Sequence, residues 1–173
     1  VIETARLVLR PPVAADRPAL FAMWADPVAM ADLGPVKTPA EGEAVLARHA
    51  GYAPLGFLAV TRRGDGATVG HVGLKPGAAG TPVDGRLEIG WAIVRACWGL
   101  GYAREAAAAA LDWAWANRPD DAVYAITARR NARSRMLMER LGMRYLPDLD
   151  FRHPANADDD PLGDGVTYRI GRP

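Results

Sequence analysis

Apolar and charged side chains alternate across 6–10 until Pro11-Pro12 ends the pattern, which predicts a half-buried strand. Leu20, Phe21 and Trp24 then share one face of a short helix over 16–24 that Asp26-Pro27 closes. After a loop over 27–36, Thr38-Pro39-Ala40-Glu41 opens a second helix running to about His49. Thr38 can cap it, Pro39 suits its first position and Glu41 completes a capping box. Two apolar runs, 56–62 and 68–75, flank Arg63-Gly64-Asp65-Gly66, whose Asp-Gly pair marks an antiparallel hairpin. Gly and Pro make 76–85 a connection. A central strand over 86–94 leads through Trp98-Gly99-Leu100-Gly101-Tyr102-Ala103 into a helix over 102–117. On that helix Ala103, Ala107, Ala110, Leu111 and Ala114 form a face small enough for close packing on a sheet. The rest reads as a strand over 122–128, a helix over 132–141 capped by Gly142, and strands over 144–149 and 166–170. The acidic run of Asp158, Asp159 and Asp160 between those last strands is a solvated loop.

Two antiparallel strands, a strand-helix-strand crossover and a closing hairpin describe a mixed sheet covered by helices, an α+β or three-layer arrangement. At 173 residues the chain is expected to form one domain, 1–173, around one core. Apolar residues at 50% and charged residues at 24% are ordinary for a soluble globular protein. A formal charge of +1 argues against a nucleic-acid partner, and the one local basic cluster spans 129–135. No run of eighteen apolar residues and no basic segment with an apolar follower is found, so neither a membrane span nor a secretory signal is expected, and the cytoplasm is the default. The single Cys97 has no disulfide partner and no nearby His, and is expected to be an inert thiol. His49, His71 and His153 are too dispersed for metal-ligand spacing, so no metal is expected.

The chemistry begins at the glycine turn. The first N–H groups of a helix have no intrahelical partner, and the helix dipole adds positive character there, so Gly99 and Gly101 before a helix suit an anion. They equally suit an ordinary tight turn, and spacing alone leaves both readings open. A Walker loop would need a Lys that is missing, and a dinucleotide fingerprint would need Gly where Arg104 stands.

The turn is preceded by Glu88-Ile89-Gly90-Trp91 and followed by Asn131-Ala132-Arg133-Ser134 and Glu139-Arg140-Leu141-Gly142-Met143. The chain opens on Glu3-Thr4-Ala5-Arg6-Leu7-Val8-Leu9-Arg10-Pro11 and carries Asp150-Phe151-Arg152-His153-Pro154 near its end. In this combination it resembles the GNAT superfamily of N-acetyltransferases, and within it the ribosomal-protein-alanine acetyltransferase (RimJ/RimL-like) branch. The resemblance implies a GNAT fold, a three-layer α/β/α arrangement whose mixed, mostly antiparallel sheet splays between two parallel strands. It implies acetyl-CoA as cosubstrate, with the pantetheine on strand backbone near Ile93 and Val94. The pyrophosphate would lie on the turn formed by Trp98, Gly99, Leu100, Gly101, Tyr102, Ala103 and Arg104. Arg95 and Arg104 either add charge to the phosphates or are solvated, and the cluster at 129–135 is a candidate for the adenosine 3′-phosphate.

Asn131 matches a position whose amide bonds the pantetheine region, and its place before a helix makes it equally an N-cap. Ser134 matches the branch position that donates a proton toward the departing thiolate, with a plain helix serine as the alternative. The Tyr that many superfamily members carry for this task is replaced by Met138. Glu88, a lone carboxylate in an apolar strand, is the candidate base; the alternative is a structural Glu paired with an Arg, and His71 is a secondary base candidate. On the acceptor side the candidates are Met30 and Leu33, each equally readable as plain core, with Met23 read first as core, and Phe151 and His153 from the tail. A second His expected before the final strand's Tyr is missing, because Gly165 and Val166 precede Thr167 and Tyr168. The implied activity is transfer of acetyl from acetyl-CoA to a primary amine, either a protein N-terminus or a small-molecule amine, by direct attack in a ternary complex. The alternative is a catalytically silent acyl-CoA sensor on the same fold. An exposed edge strand and a pocket near the tail make a homodimer an expectation as well.

Overall fold

The computed structural model describes all 173 residues. The hairpin signal at Asp65-Gly66 is used: β3 (Gly56–Arg62) and β4 (Thr68–Pro76) pair antiparallel, and Arg62 donates to the Asp65 carboxylate across the turn. Ahead of them stand β1 (Ile2–Glu3) and β2 (Leu7–Arg10), and after them β5 (Leu87–Ile93) and β6 (Ala122–Ala128). The chain closes with β7 (Arg144–Tyr145), β8 (Phe151–Arg152) and β9 (Asp164–Gly171). The sheet order is β1-β2-β3-β4-β5-β6-β9-β7, with β8 pairing β9, and every pairing is antiparallel except β5 with β6.

That exception makes the opening. β5 stays in register with β4 as far as Gly70↔Ile93, and β6 with β9 as far as Ala128↔Gly165. Between β5 and β6 the register holds only at Glu88↔Tyr124. Beyond that point the two halves of the sheet part, leaving one edge of each strand without a strand partner.

Helices cover both faces. The main core joins Leu87 and Ile89 of β5 to Ala106, Ala107, Ala110, Leu111 and Ala114 of α4 (Tyr102–Asn117), the small-residue face expected for that helix except that Ala106 takes the place given to Ala103, which lines a cavity instead. α5 (Ala132–Arg140) packs beside α4 and β6. Side chains alternate along a strand, so Glu88, Gly90 and Ala92 face the other way. There a second cluster joins Ala92 to Leu20, Met23 and Trp24 of α1 (Arg17–Ala25), Met30 of α2 (Pro27–Met30) and Val45 of α3 (Pro39–Ala50). Met23 is plain core, 2% exposed and lining no cavity of the site. The mixed three-layer arrangement expected from the pattern is the one observed.

The local signals hold where a side chain closes a backbone group. Thr38 accepts from the Glu41 N–H and Glu41 from the Thr38 N–H at 2.7 Å, the capping box of α3. α5 ends in hydrogen bonds from the Gly142 N–H to the Glu139 carbonyl and from the Met143 N–H to that of Met138. Two expectations are corrected and two short strands are added. The loop over 27–36 begins with α2, because Asp26 accepts from the Val28 and Ala29 N–H groups and Pro27 occupies the first helical position. The strand over 144–149 stops at Tyr145, since Pro147 lacks an N–H to continue the ladder. β1 and β8, two residues each, are additions. No helix is long and apolar enough to cross a membrane.

Candidate functional site

A cavity of about 490 Å³ opens where β5 and β6 part, walled by Ile93, the glycine turn and α5. Gly99 and Gly101 hold φ of 77° and 81°, the left-handed region that glycine enters without a Cβ penalty. Gly101 is the N-cap of α4 and supplies no side-chain cap, so the N–H groups that begin the helix face outward for an anion. The Trp98 indole N–H donates to the Ile93 carbonyl at 2.7 Å, and the Arg133 guanidinium lies 3.8 Å over the indole ring. Strand end, turn and α5 are thereby tied together. From the outside, Arg6 donates to Glu105 at 2.7 Å and to the Leu100 carbonyl at 3.0 Å, pinning the turn to the first turn of α4.

A second cavity of about 280 Å³ lies deeper, on the α1–α3 face, lined by Trp24, Met30, Val45 and Phe57 among the apolar groups. The two cavities share Leu33, Trp91, Ala92 and Ser134. Ser134 therefore stands at their junction, on the first turn of α5, with its N–H capped by the Asn131 carboxamide at 3.1 Å. The Asn131 NH₂ donates to Thr127 Oγ1 at 3.0 Å and to the Asp32 carbonyl at 3.4 Å. Asn131 is thus an N-cap that also lines the larger cavity.

Glu88 lines the smaller cavity and is 5% exposed. The expectation of a lone carboxylate is corrected: Lys75 stands directly opposite across β4 and β5, its Nζ 2.5 Å from Glu88 Oε2. The partner is a lysine and not the arginine anticipated. The Ala78 N–H also reaches Oε2, at 3.3 Å, so both bonds fall on one oxygen and Oε1 keeps its lone pairs. His71 lines the same cavity in a stack of rings, with Phe57 at 4.0 Å and His49 beyond it, 3.4 Å from Phe57. Burial pushes the His71 imidazole down to about 3, with the charge of His49 a lesser cause. Burial, then the charges of Arg48 and Lys75, push His49 down to about 4. A ring so reluctant to hold a proton is a poor proton acceptor, which weighs against His71 as the base.

The larger cavity gathers Ile93, Trp98, Gly99, Gly101, Tyr102, Ala103, Arg104, Asn131 and Ser134 from the residues singled out in the sequence. Val94 packs in the second cluster instead, and Leu100 is 49% exposed, its carbonyl held by Arg6. Met30 and Leu33 line the smaller cavity; Phe151 and His153 line neither. Phe151 lies over Gly165, where a Cβ would come within 2.6 Å of its ring, so the ring fills the space a larger residue before Tyr168 would need. Arg95 is paired with Asp26 at 2.9 Å. In the basic cluster, Arg129 binds Asp150 and Asp164, Arg130 binds Asp32, and Arg135 donates to the Tyr168 hydroxyl. Arg133, with Arg140 two turns on, reaches the cavity. Cys97 lines it too, partly exposed. Sequence reading missed Trp91, Lys37, Arg48 and Lys75; of these only Lys75, mirrored with Glu88 about the 76–85 connection, left a signal. No three His, Cys, Asp or Glu side chains group as a metal site would need.

A split sheet, a glycine turn with uncapped N–H groups and a junction hydroxyl give the two cavities their shared architecture. In agreement, residues 6–144 match the acetyltransferase (GNAT) domain family, and the chain belongs to it. It is similar to an acetyltransferase from Agrobacterium tumefaciens str. C58, 27% identical with a TM-score of 0.77 over 98% of this chain and 92% of that one. A GNAT-family acetyltransferase from Bacillus anthracis shares the fold, with 23% identity and a TM-score of 0.81 over 99% and 98% of the two chains. So does RimL, the ribosomal L7/L12 alpha-N-protein acetyltransferase, in complex with coenzyme A, at 14% identity and a TM-score of 0.76 over 97% and 95%.

Proposed function

We propose that the protein moves an acetyl group from acetyl-CoA to a primary amine by direct attack, both substrates being bound at once. The observation that carries this reading is the junction of the two cavities at Ser134. The α4 N–H groups would hold the pyrophosphate, Arg104, Arg133 and Arg140 would meet the remaining phosphate charge, and the free edge of β5 at Ile93 would take the pantetheine amides. Acetyl-CoA supplies an activated acyl group. The acceptor, in the smaller cavity, must present a neutral amine. As the new N–C bond forms and the C–S bond breaks, the amine proton passes to Glu88 Oε1 directly or through water, the Ser134 hydroxyl gives its proton toward the leaving thiolate, and water returns to Ser134 the proton that Glu88 releases. The opening around Arg6 and the tail at Phe151 and His153 support a RimJ/RimL-like member of the family.

Thermal shift against acetyl-CoA and CoA, with ATP and NAD as controls, tests the donor half. Ligand at a hundred times its Kd adds about 2.7 kcal/mol, so a clear rise in Tm with the CoA species alone is expected. Thiol release with a panel of amines tests the rest. Ser134→Ala is expected to lower kcat about a hundredfold and Glu88→Gln at least about tenfold, both with unchanged CoA binding. Unchanged turnover in both variants would reject the roles given to these residues, and CoA binding without acetylation of any amine would make the protein a sensor.

A further inference from the structure

We propose that the acceptor is a free α-amino acid with an apolar side chain, its carboxylate held by Arg48 and Lys37; this rests on the acetyl-transfer reading. The smaller cavity carries three cationic side chains, Lys37, Arg48 and Lys75, against one acid, Glu88. Lys75 and Glu88 neutralise each other. That leaves Lys37 and Arg48, which form no ion pair; the same holds for exposed arginines such as Arg86 and Arg144, but these two line one cavity together. Lys37 reaches only the Pro35 carbonyl, at 3.5 Å. Two unmatched cations at the mouth of a ligand cavity attract an anion, and the planar Arg48 fork matches a carboxylate in two hydrogen bonds.

The rest of the cavity sets the other features of the ligand. Trp24, Met30, Val45 and Phe57 offer an apolar surface for a side chain. About 280 Å³ suits a molecule of amino-acid size and falls short of the space that drug-sized ligands occupy. The cations also favour the chemistry, because positive charge beside an amine disfavours its protonated form and so raises the share of nucleophile. His49, stacked on Phe57 behind the cavity wall, is pushed down by burial first and then by the charges of Arg48 and Lys75. A polyamine would bring further positive charge to Lys37 and Arg48, and a peptide N-terminus would bring an amide where these side chains call for a carboxylate.

The test measures kcat/KM by thiol release for L-leucine, L-methionine and L-phenylalanine, each beside its primary amide and its decarboxylated amine, with spermidine as a polyamine. The free acids are expected to exceed their amides and amines by about tenfold or more. Arg48→Gln, and more fully Arg48→Gln with Lys37→Gln, should raise KM for the acids and bring their kcat/KM to the level of their amides. Thermal shift with acetyl-CoA shows that each variant is folded and loaded. Amides, amines or spermidine used as well as or better than the acids by the unaltered protein would overturn the inference, as would a preference that survives the double substitution. In both results acetyl transfer itself still stands. Loss of the parent reading looks different: CoA binds and no amine of any kind is acetylated, and the inference falls with it.

Discussion

Glu88 shows how a site residue changes meaning when its neighbour is found. Alternation along the strand sets its direction, and the sequence rightly has it on the face away from Leu87 and Ile89. Lys75 is invisible to that reasoning, because the register of β4 on β5 across the 76–85 connection sets the two side by side. The pair is mostly buried, the side chains being 20% and 7% exposed, so removing the cation alone leaves a carboxylate without compensation. Lys75→Met is expected to cost about 3 kcal/mol, and Glu88→Gln in the same chain to recover most of it. Urea unfolding of the two single variants and the double variant gives the coupling directly; additive losses would show that the pair contributes no interaction of its own. Asn131 was legible as a cap, since a short amide before a helix start is a cap wherever it stands.

At the scale of elements, legibility follows length and capping. The bounds expected for α4 and β6 are those observed, because sixteen and seven residues give their periodicities room to show. β1 and β8, at two residues each, have no period to detect. The function of the opening segment also emerges only here. Arg6, drawn to attention by resemblance alone, is the clamp between β2 and the start of α4: Nη1 reaches Leu100, Nε reaches Glu105, and its N–H together with the Thr4 hydroxyl completes the shell of that carboxylate. The Arg6 side chain is half exposed, so the ion pair contributes little to folding. Its effect is on the turn. Arg6→Ala is expected to leave the Tm of the free protein within a few degrees and to weaken CoA binding several-fold, as loosened N–H groups lose alignment with the pyrophosphate. Calorimetric titration with CoA checks this, and an unchanged Kd would show that the turn holds its shape unaided.

The whole molecule carries a consequence that no single motif displays. The cavities were partly legible, since the larger one takes much of its lining from the stretch between Trp91 and Arg104 and the rest from α5 and the segment around Asp32. The smaller cavity is assembled from α1, α2, α3, β3, β4, β5, β6 and α5, and no spacing announces it. That assembly buries two imidazoles, at 4% and 5% exposure, with one nitrogen of each left without a hydrogen-bond partner. His49 and His71 titrate in the folded chain at about 4 and about 3, against 6.5 when unfolded, because burial penalises the charged ring. Between these values the unfolded chain binds more protons than the folded one, so stability is fully present above 6.5 and falls as the pH drops toward 4. Each ring contributes a slope of at most about 1.4 kcal/mol per pH unit in that window. Asp16, 1% exposed and bonded to Arg10 and Thr68, is held below the usual carboxylate range by these bonds although burial opposes them, and adds its loss only at lower pH. Tm measured from pH 7.5 to 5 should therefore fall steadily while the carboxylates are still ionised. His71→Phe, which keeps an aromatic ring between Phe57 and Trp24, should remove about half of that fall. An equal fall in this variant would show that His71 is not a source of the acid sensitivity.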